Sequence, residues 1–236
     1  MCFSVQVNKD LKDLSYRFSA EINQKAFDNL DMLDKNEPGK YQYVNEQDDR
    51  IYAKIWAPII CSIKGQRQIR PMRYQLLPHF CDTERYMRLD TESQKEIEIK
   101  NTYNARLDRL RSTKAWRKPF MNFHAILPIK KFYEWVPRNG HKSMISFTPQ
   151  HNEYILAPCI YDNWFSQDKK KIIQSFAIIT EQSNPEVQDM GNPRSPISLI
   201  EDNTELWLNP SGKTEQQVYE VLNGGHRDSY SHKWMM

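Results

Sequence analysis

Four apolar, β-rich runs between residues 122 and 180 constrain the fold of this chain more than any other feature. The run NFHAILPIKKFYEWVP is followed by the turn residues Arg138-Asn139-Gly140 and then by HKSMISF, a pattern typical of a β-hairpin. YILAPCIYDNW and KIIQSFAIIT predict two further strands, with a solvated turn at the lysine cluster 169–171 between them. The sequence therefore predicts an α+β fold, a single mixed domain built on largely antiparallel strands with peripheral helices.

The flanking segments are shorter or more polar. CFSVQV alternates and predicts an N-terminal strand, and IYAKIWAPIICSI predicts a strand interrupted by Pro58. LKDLSYRF and INQKAFDNLDML carry apolar residues at helical spacing, whereas the charged stretch at 82–100 predicts a solvated, helix-prone excursion. We expect one domain over residues 1–222, with polar insertions near 9–50 and 82–100, followed by a loosely ordered tail at 223–236.

Composition excludes several classes of protein. The 236 residues have a mean hydropathy of −0.78, and no apolar run approaches the roughly 18–20 residues that a membrane span needs. With a polar N-terminus that does not resemble a secretory signal, we expect a cytoplasmic protein, nucleoid-associated in a bacterium, without membrane contact. The net charge of +3 permits nucleic-acid binding without arguing for it. The four cysteines, Cys2, Cys61, Cys81 and Cys159, form no CxxC pair. The sequence therefore suggests neither a zinc site nor a disulfide framework.

The dipeptide Met1-Cys2 offers a distinctive chemistry. If Met1 is removed, Cys2 carries an α-amine with a pKa of about 7.7–8.0 and a thiol with a pKa of about 8.5 on adjacent carbons. The amine can attack an aldehyde to form a Schiff base, and the thiol can then close a five-membered thiazolidine on the same carbon. Taken alone, the dipeptide is better explained as a cysteine that happens to follow the start codon.

A basic and aromatic segment precedes the β-rich runs. The span 103–120 contains Tyr103, Trp116 and Phe120, interleaved with six cations: Arg106, Arg109, Arg111, Lys114, Arg117 and Lys118. Such a segment can contact the phosphate backbone of a nucleic acid, although a charge run of this kind is also typical of a solvated helix face.

Several short motifs occur together in one order. Beside Met1-Cys2 they are Asn104-Ala105-Arg106, Phe132-Tyr133-Glu134-Trp135, Phe176-Ala177-Ile178-Ile179-Thr180, Asn184-Pro185 and Arg194-Ser195-Pro196. Weaker matches are Ala57-Pro58, Met72-Arg73-Tyr74, Leu77-Pro78, the stretch from Ala157 to Trp164, and Trp207-Leu208-Asn209-Pro210. In these motifs the chain resembles the SRAP family, the SOS-response-associated peptidases that cross-link themselves to abasic sites in single-stranded DNA. The resemblance implies the family's barrel-like sheet.

The resemblance also implies a catalytic set. Cys2 corresponds to the family's nucleophile, and its product with the aldehyde of a ring-opened abasic sugar has no good leaving group. Glu134 corresponds to the acid/base carboxylate, and Asn104 to an asparagine that orients the sugar or the Cys2 amine. Without the resemblance, Glu134 would be read as an outward-facing strand residue and Asn104 as a turn or cap residue.

DNA contacts follow from the same resemblance. Arg106 corresponds to an arginine that grips phosphate, and Trp135 offers a ring on which an unpaired base can stack, with core packing as its alternative role. The remaining matched positions predicted to contact DNA are Arg73, Tyr74 and Arg194.

One departure bears on the chemistry. The family has a histidine two residues before the arginine of its Arg-x-Pro motif, and here that catalytic position is Asn192. An asparagine forms hydrogen bonds but cannot exchange a proton near neutral pH. Phe3-Ser4 also replaces the Gly-Arg that often follows Cys2, and Tyr74 stands where a tryptophan is common.

Three functions are compatible with these features. The first is a DNA-damage response protein that binds single-stranded DNA as a monomer, removes its own Met1, and forms a lyase-like thiazolidine cross-link at abasic sites. The second is a degenerate family member that binds single-stranded DNA without covalent chemistry, because of Asn192. The third is an N-terminal-nucleophile hydrolase acting on another amide. None requires a cofactor or a metal, because the aldehyde supplies the electrophile.

Overall fold

The computed structural model describes residues 3–44, 47–225 and 229–235. Its strands, numbered β1 to β14 in chain order, are Ser4–Val7, Glu21–Ile22, Arg50–Ile51, Trp56–Ile63, Gln66–Tyr74, Met87–Leu89, Glu96–Glu98, Asn104–Arg106, His124–Arg138, His141–Pro149, Ile155–Phe165, Ile172–Gln182, Arg194–Pro196 and Tyr230–Trp234. Its α-helices, numbered α1 to α6, are Leu11–Phe18, Gln24–Asn36, Lys114–Asn122, Pro185–Asp189, Glu201–Leu208 and Glu215–Asn223, and a short 3-10 helix spans Leu107–Arg109.

Five strands close into a ring, in the order β4, β5, β12, β11 and β9. Four of the five junctions are antiparallel, and β5 joins β12 in parallel where Arg73 lies opposite Ser175. Ala125 on β9 lies opposite Cys61 on one side and Cys159 on the other, so β9 completes the ring. This arrangement confirms the α+β class and the barrel-like sheet that the sequence predicts.

Apolar side chains cover both faces of the ring. Along β9, Ala125 and Leu127 point into the interior cluster, whereas Ile126 packs in the outer cluster that also contains Trp207 of α5. Because successive side chains of a strand point to opposite faces, a strand covered on both sides must be apolar throughout. This is why the strands of the ring appear in the sequence as continuous apolar runs.

The second half of β9 extends past the ring and pairs with β1 and β10. Ser4 lies opposite Tyr133, and Ile145 lies opposite Glu134. The β9–β10 turn has positive φ at Asn139 (50°) and Gly140 (77°), which confirms the predicted hairpin. The strand predicted at CFSVQV is present as β1 over Ser4–Val7, and Cys2 lies outside the described residues.

The prediction of a helix within 82–100 is wrong, since this segment forms a β-hairpin. In it β6 pairs with β7, with Arg88 opposite Ile97. The turn is closed by Asp90, whose amide donates to the Lys95 carbonyl at 2.9 Å, and Gln94 adopts a positive φ of 54° there. Charge spacing could not distinguish helix from hairpin, because most side chains of this segment are exposed and impose no apolar period.

Two further details differ from the sequence predictions. Strand β4 continues through Pro58, which lies opposite Pro71 of β5, so neither residue of this pair has an N–H to leave unpaired. Part of the tail predicted to be loosely ordered forms strand β14, which pairs with β10 from Tyr230 to Trp234. Among the described residues, no helix has the length and apolar character needed to cross a membrane.

Candidate functional site

Glu134 lies on β9 at the end of the ring. A carboxylate is unusual there because the surrounding side chains are apolar. Phe132 and Val136, which share its side of the strand, belong to the interior apolar cluster, and Glu134 itself is only 6% exposed. Burial raises the pKa of this carboxyl group to about 7, because desolvation disfavours the charged form. Glu134 is therefore not an outward-facing strand residue, and its carboxyl group can hold or release a proton near neutral pH.

The N-terminal segment enters the described structure beside this carboxyl group. The Phe3 amide donates a hydrogen bond to the carbonyl oxygen of Tyr133 at 3.0 Å, and Ser4 pairs with Tyr133 in the β1–β9 ladder. The predicted nucleophile, Cys2, precedes Phe3 and lies outside the described residues.

Asn192 reaches Glu134 from a distant part of the chain. Its side chain lies beside the Glu134 carboxyl group and lowers the pKa of Glu134, which partly opposes the effect of burial. Asn192 is 2% exposed, and its backbone N–H donates a hydrogen bond to the Val187 carbonyl oxygen of α4 at 3.2 Å. The departure from the family's histidine thus lies beside the candidate acid/base group.

Gly191 allows this approach. It has a φ of +90°, and a Cβ placed on it would lie 3.4 Å from the Cβ of Val136 on β9. An L-residue with a side chain would be strained in this conformation, so glycine lets the loop bring Asn192 close to β9.

Arg106 and Arg194 meet at one carboxylate. Arg106 binds Asp108 through two nitrogens at 3.0 and 2.6 Å, and Arg194 Nη1 lies 3.7 Å from the same side chain. Arg194 also donates to Thr180, through Nε to Oγ1 at 3.2 Å and through a second nitrogen to the carbonyl oxygen. Both arginines line a cavity of about 860 Å³, whose lining also includes two carboxylates, Asp108 and Glu181.

Asn104 is buried on the strand that carries Arg106. It is 3% exposed and lies opposite Ile178 in the parallel β8–β12 pair. Because residues two apart share a face of a strand, Asn104 and Arg106 point to the same side of β8.

Arg73 and Tyr74 lie inside the molecule. Arg73 is 6% exposed, its Nη1 lies 3.6 Å from a Glu84 oxygen, and burial lowers the pKa of its guanidinium. Tyr74 is fully buried and stacks on Phe176 with ring centroids 5.2 Å apart. In this conformation neither side chain presents a surface for direct DNA contact.

Trp135, which the resemblance predicts as a stacking ring, belongs to an exposed aromatic surface. We define this aromatic surface as Phe3, Tyr52 and Trp135. The Phe3 ring lies edge-on to Tyr52 at 5.7 Å and to Trp135 at 6.1 Å, and Trp135 is 45% exposed. The Arg50 guanidinium lies 5.0 Å from the Tyr52 ring and 3.8 Å from that of Tyr133. The sequence signals for this surface are Trp135, which the resemblance predicts as a stacking ring, and Phe3, an apolar ring where the family has glycine. Tyr52 was not predicted.

The three cysteines that lie within the described residues are poor nucleophiles. Burial raises the pKa of the Cys61 thiol to about 12 and that of Cys159 well above its usual value. Burial also raises the pKa of Cys81 to about 11. A thiolate is therefore disfavoured at all three positions near neutral pH. Within residues 3–44, 47–225 and 229–235, no cluster of three or more His, Cys, Asp or Glu side chains could hold a metal ion.

Comparison with known proteins gives a matching family and several relatives. The sequence model of the family described as SOS response associated peptidase (SRAP) matches residues 1–233. The chain is 28% identical over 122 residues to the abasic site processing protein YoqW of Bacillus subtilis, a match covering 50% of this chain and 53% of YoqW. It is 27% identical over 121 residues to the abasic site processing protein YoaM of the same organism, covering 50% and 52%. The chain thus spans about half the length of the curated relatives it matches.

Solved structures share the fold across the whole chain. A protein from Bacteroides thetaiotaomicron superposes with a TM-score of 0.72 at 19% identity, covering 100% of this chain and 92% of that one. A protein from Bordetella bronchiseptica superposes with a TM-score of 0.68 at 16% identity, covering 100% of both chains.

Proposed function

Because the chain belongs to the SOS response associated peptidase (SRAP) family, we propose that it processes abasic sites in DNA by bonding to them through Cys2. The observation that carries this proposal is the meeting of three distant motifs at the end of β9. Buried Glu134 has a pKa of about 7, Asn192 lies beside it and lowers that pKa, and Phe3, which is joined to Cys2 by a peptide bond, donates its amide hydrogen to the carbonyl oxygen of the adjacent Tyr133. The names of the two Bacillus subtilis relatives support the same substrate.

The proposed reaction begins with release of Met1, which frees the Cys2 amine. That amine attacks the C1′ aldehyde of the ring-opened abasic sugar, and the resulting carbinolamine loses one water to give a Schiff base. The Cys2 thiol then adds across the C=N bond, its sulfur joining C1′ and its proton joining the nitrogen. The thiazolidine product therefore has the mass of the protein plus the DNA minus one water.

Glu134 suits the proton transfers of this sequence. The departing hydroxyl of the carbinolamine must be protonated, and a carboxylic acid with a pKa of about 7 is still largely protonated just below neutral pH. Asn192 cannot replace it in this role, because an asparagine side chain does not exchange a proton near neutral pH.

Single-stranded DNA is the form of substrate that the surface around the site favours. Arg106 and Arg194 line one cavity and can contact backbone phosphates, which supply most of the affinity of proteins for DNA. The aromatic surface of Phe3, Tyr52 and Trp135 can stack unpaired bases, which a duplex does not offer.

Intact mass spectrometry tests this proposal. The purified protein is incubated with a single-stranded oligonucleotide carrying one abasic site and is then denatured. We expect loss of Met1, followed by a mass gain equal to the oligonucleotide minus one water. Cys2→Ala should abolish the adduct, whereas Cys81→Ala, which removes a half-buried thiol with a raised pKa, should leave it unchanged. An adduct of normal yield in Cys2→Ala would overturn the covalent proposal.

Asn192 supports a second candidate function, single-stranded DNA binding without covalent chemistry. Asn192 lies beside Glu134, at the position where the family's histidine would provide a second proton carrier. An asparagine cannot take that role. In that case the same experiment yields salt-sensitive binding that is indifferent to the abasic site and leaves no adduct after denaturation.

Self-processing is tested separately. We expect the full-length protein to release free methionine and Glu134→Gln to release it much more slowly, because amide hydrolysis also needs a proton carrier. Equal release by both proteins would show that Glu134 has no part in this step.

A further inference from the structure

A second cavity lies between the β6–β7 hairpin and the start of α3. Its volume is about 340 Å³, and its lining includes Tyr86 and Arg88 from the hairpin, Asn104 and Arg106 from β8, Arg109, and Trp116 of α3. The hairpin belongs to the segment 82–100, which carries none of the family motifs, so the family resemblance assigns no role to this cavity.

The lining is strongly cationic. Three arginines contribute to it, and no aspartate or glutamate does. Arg106 is paired with Asp108, but no ion pair is formed by Arg88 or Arg109 with any part of the chain that the structure describes. The nearby carboxylate Glu98 is bound elsewhere, at 2.9 Å from Arg85 and 3.7 Å from Lys54. The lining of the cavity therefore carries net positive charge, which favours an anion.

The walls of the cavity are held in place by contacts on both sides. The Ile99 amide donates to the Tyr86 carbonyl at 2.8 Å, and the Leu76 amide donates to the Thr102 carbonyl at 3.1 Å. The Phe80 ring lies 5.7 Å from the Tyr86 ring, and Lys114 Nζ of α3 lies 4.3 Å from the Phe80 ring centroid. Hairpin and helix are thus connected through Phe80, so a ligand would meet a largely pre-formed site.

Arg106 lines both this cavity and the larger one beside Arg194. We propose that the smaller cavity binds one backbone phosphate of the same DNA strand, on a nucleotide flanking the abasic site, through Arg88 and Arg109. Guanidinium groups match phosphate oxygens in geometry as well as charge. The assignment rests on the proposed function, and it gives the 82–100 hairpin the role of extending the DNA-binding surface.

Two double variants with equal loss of charge test the proposal. Arg88→Gln with Arg109→Gln removes the two unpaired arginines of the cavity. Arg85→Gln with Arg117→Gln removes one exposed arginine from the hairpin and one from α3, and neither of these lines the cavity. Affinity is measured by fluorescence anisotropy with abasic single-stranded oligonucleotides, each carrying one uncharged methylphosphonate linkage at a different distance from the lesion. All four arginines are exposed, and equal thermal midpoints would show that the fold is intact.

We expect the unmodified protein and the Arg85/Arg117 variant to lose about tenfold in affinity when one particular linkage is uncharged. The Arg88/Arg109 variant should bind the fully charged strand about tenfold more weakly and should be insensitive to that same linkage. The reason is that substituting the arginines and removing the charge of the phosphate eliminate the same contact. The adduct at the abasic site should still form at saturating DNA concentrations.

Other results would overturn the proposal in distinguishable ways. If the unmodified protein forms an adduct but both double variants respond to every linkage as it does, the cavity has no phosphate contact and the proposed function stands. If Arg88 and Arg109 respond to inorganic phosphate in NMR spectra while oligonucleotide affinity is unchanged in their variant, the cavity is a free-phosphate site. Failure of the unmodified protein to bind any single-stranded DNA would instead contradict the proposed function.

Discussion

Glu134 shows how one buried residue can combine the requirements of stability and of chemistry. Its carboxyl group lies among apolar side chains, so burial raises its pKa to about 7. The free energy of unfolding is therefore lower whenever this carboxyl group is charged. Such a cost is typical of functional sites, where the proton affinity of a group is adjusted to its task.

This cost predicts a pH dependence of stability. The pKa of Glu134 is about 7 in the folded state against an ordinary value of 4.5, so between these values the folded protein binds more protons than the unfolded chain. The free energy of unfolding should fall as the pH rises through this window and level off above it, by roughly 3 kcal/mol in total.

Urea unfolding of the protein and of Glu134→Gln, from about pH 5 to about pH 8, measures this contribution. The variant should lack the decline. Glu98→Gln is the matched control, because the hydrogen bond from Arg85 lowers the pKa of Glu98 and keeps it charged in the folded state across this range. An equal decline in Glu134→Gln would show that another group causes it.

A second prediction at the scale of single residues concerns Asn192. Asn192→His would place a group with an ordinary pKa of about 6.5 in contact with Glu134 and restore a second proton carrier. We expect adduct formation at subsaturating times to become at least about tenfold faster near neutral pH. Quenched time courses followed by denaturing gel electrophoresis measure the rate. A slower reaction in Asn192→His, with unchanged DNA affinity, would mean that the asparagine has its own role in this chain.

At the scale of elements, strand β14 illustrates how a distant segment supports the site. It pairs with β10, which pairs in turn with the part of β9 that carries Glu134. Tyr230 packs its ring edge-on against Phe132 at 5.4 Å, and its amide donates to the Glu186 carboxylate of α4. Both β9 and the loop that carries Asn192 are therefore connected to this strand.

Tyr230→Ala should destabilise the protein by about 3–4 kcal/mol, because Tyr230 is 93% buried and its removal leaves a cavity against Phe132. Urea unfolding measures the loss. His232→Ala on the same strand replaces an exposed side chain and should change stability by less than about 0.5 kcal/mol. Equal effects of the two substitutions would show that β14 contributes only through its backbone.

At the scale of the whole molecule, the small net charge of +3 conceals an uneven distribution. Carboxylates neutralise many basic side chains in ion pairs, as in the group formed by Lys40, Lys171, Glu37 and Glu84. The cations that line the two cavities are Arg106 and Arg194 in the larger, and Arg88, Arg106 and Arg109 in the smaller. Association with DNA should therefore depend on these local charges rather than on the net charge.

Salt dependence of binding provides the test. Contact with three or four phosphates of a single strand predicts that log affinity falls against log salt concentration with a slope of about −2 to −3. Arg106→Gln should reduce the magnitude of this slope by about 0.7. Lys118→Gln, an exposed change on α3 outside both cavities, should leave the slope unaltered. Fluorescence anisotropy titrations over a range of salt concentrations measure both slopes.

The sequence alone determined the class of fold and the family, because both are local properties of the chain. Runs such as NFHAILPIKKFYEWVP specify strands through side-chain type and spacing, and motifs such as Asn104-Ala105-Arg106 are recognisable without coordinates. It failed at the 82–100 hairpin and at β14, where exposed side chains impose no period and backbone pairing with a partner strand decides the structure.

Only the tertiary structure decided which motif residues share an environment. Burial of Glu134 depends on how distant segments pack at the end of the ring, and burial sets its pKa. Its proximity to Asn192 depends on the chain segment that follows β12. The exposure of Trp135 and the burial of Arg73 likewise depend on how the strands pack. Burial and contact are properties of how distant segments pack together, so no local pattern in the sequence could reveal them.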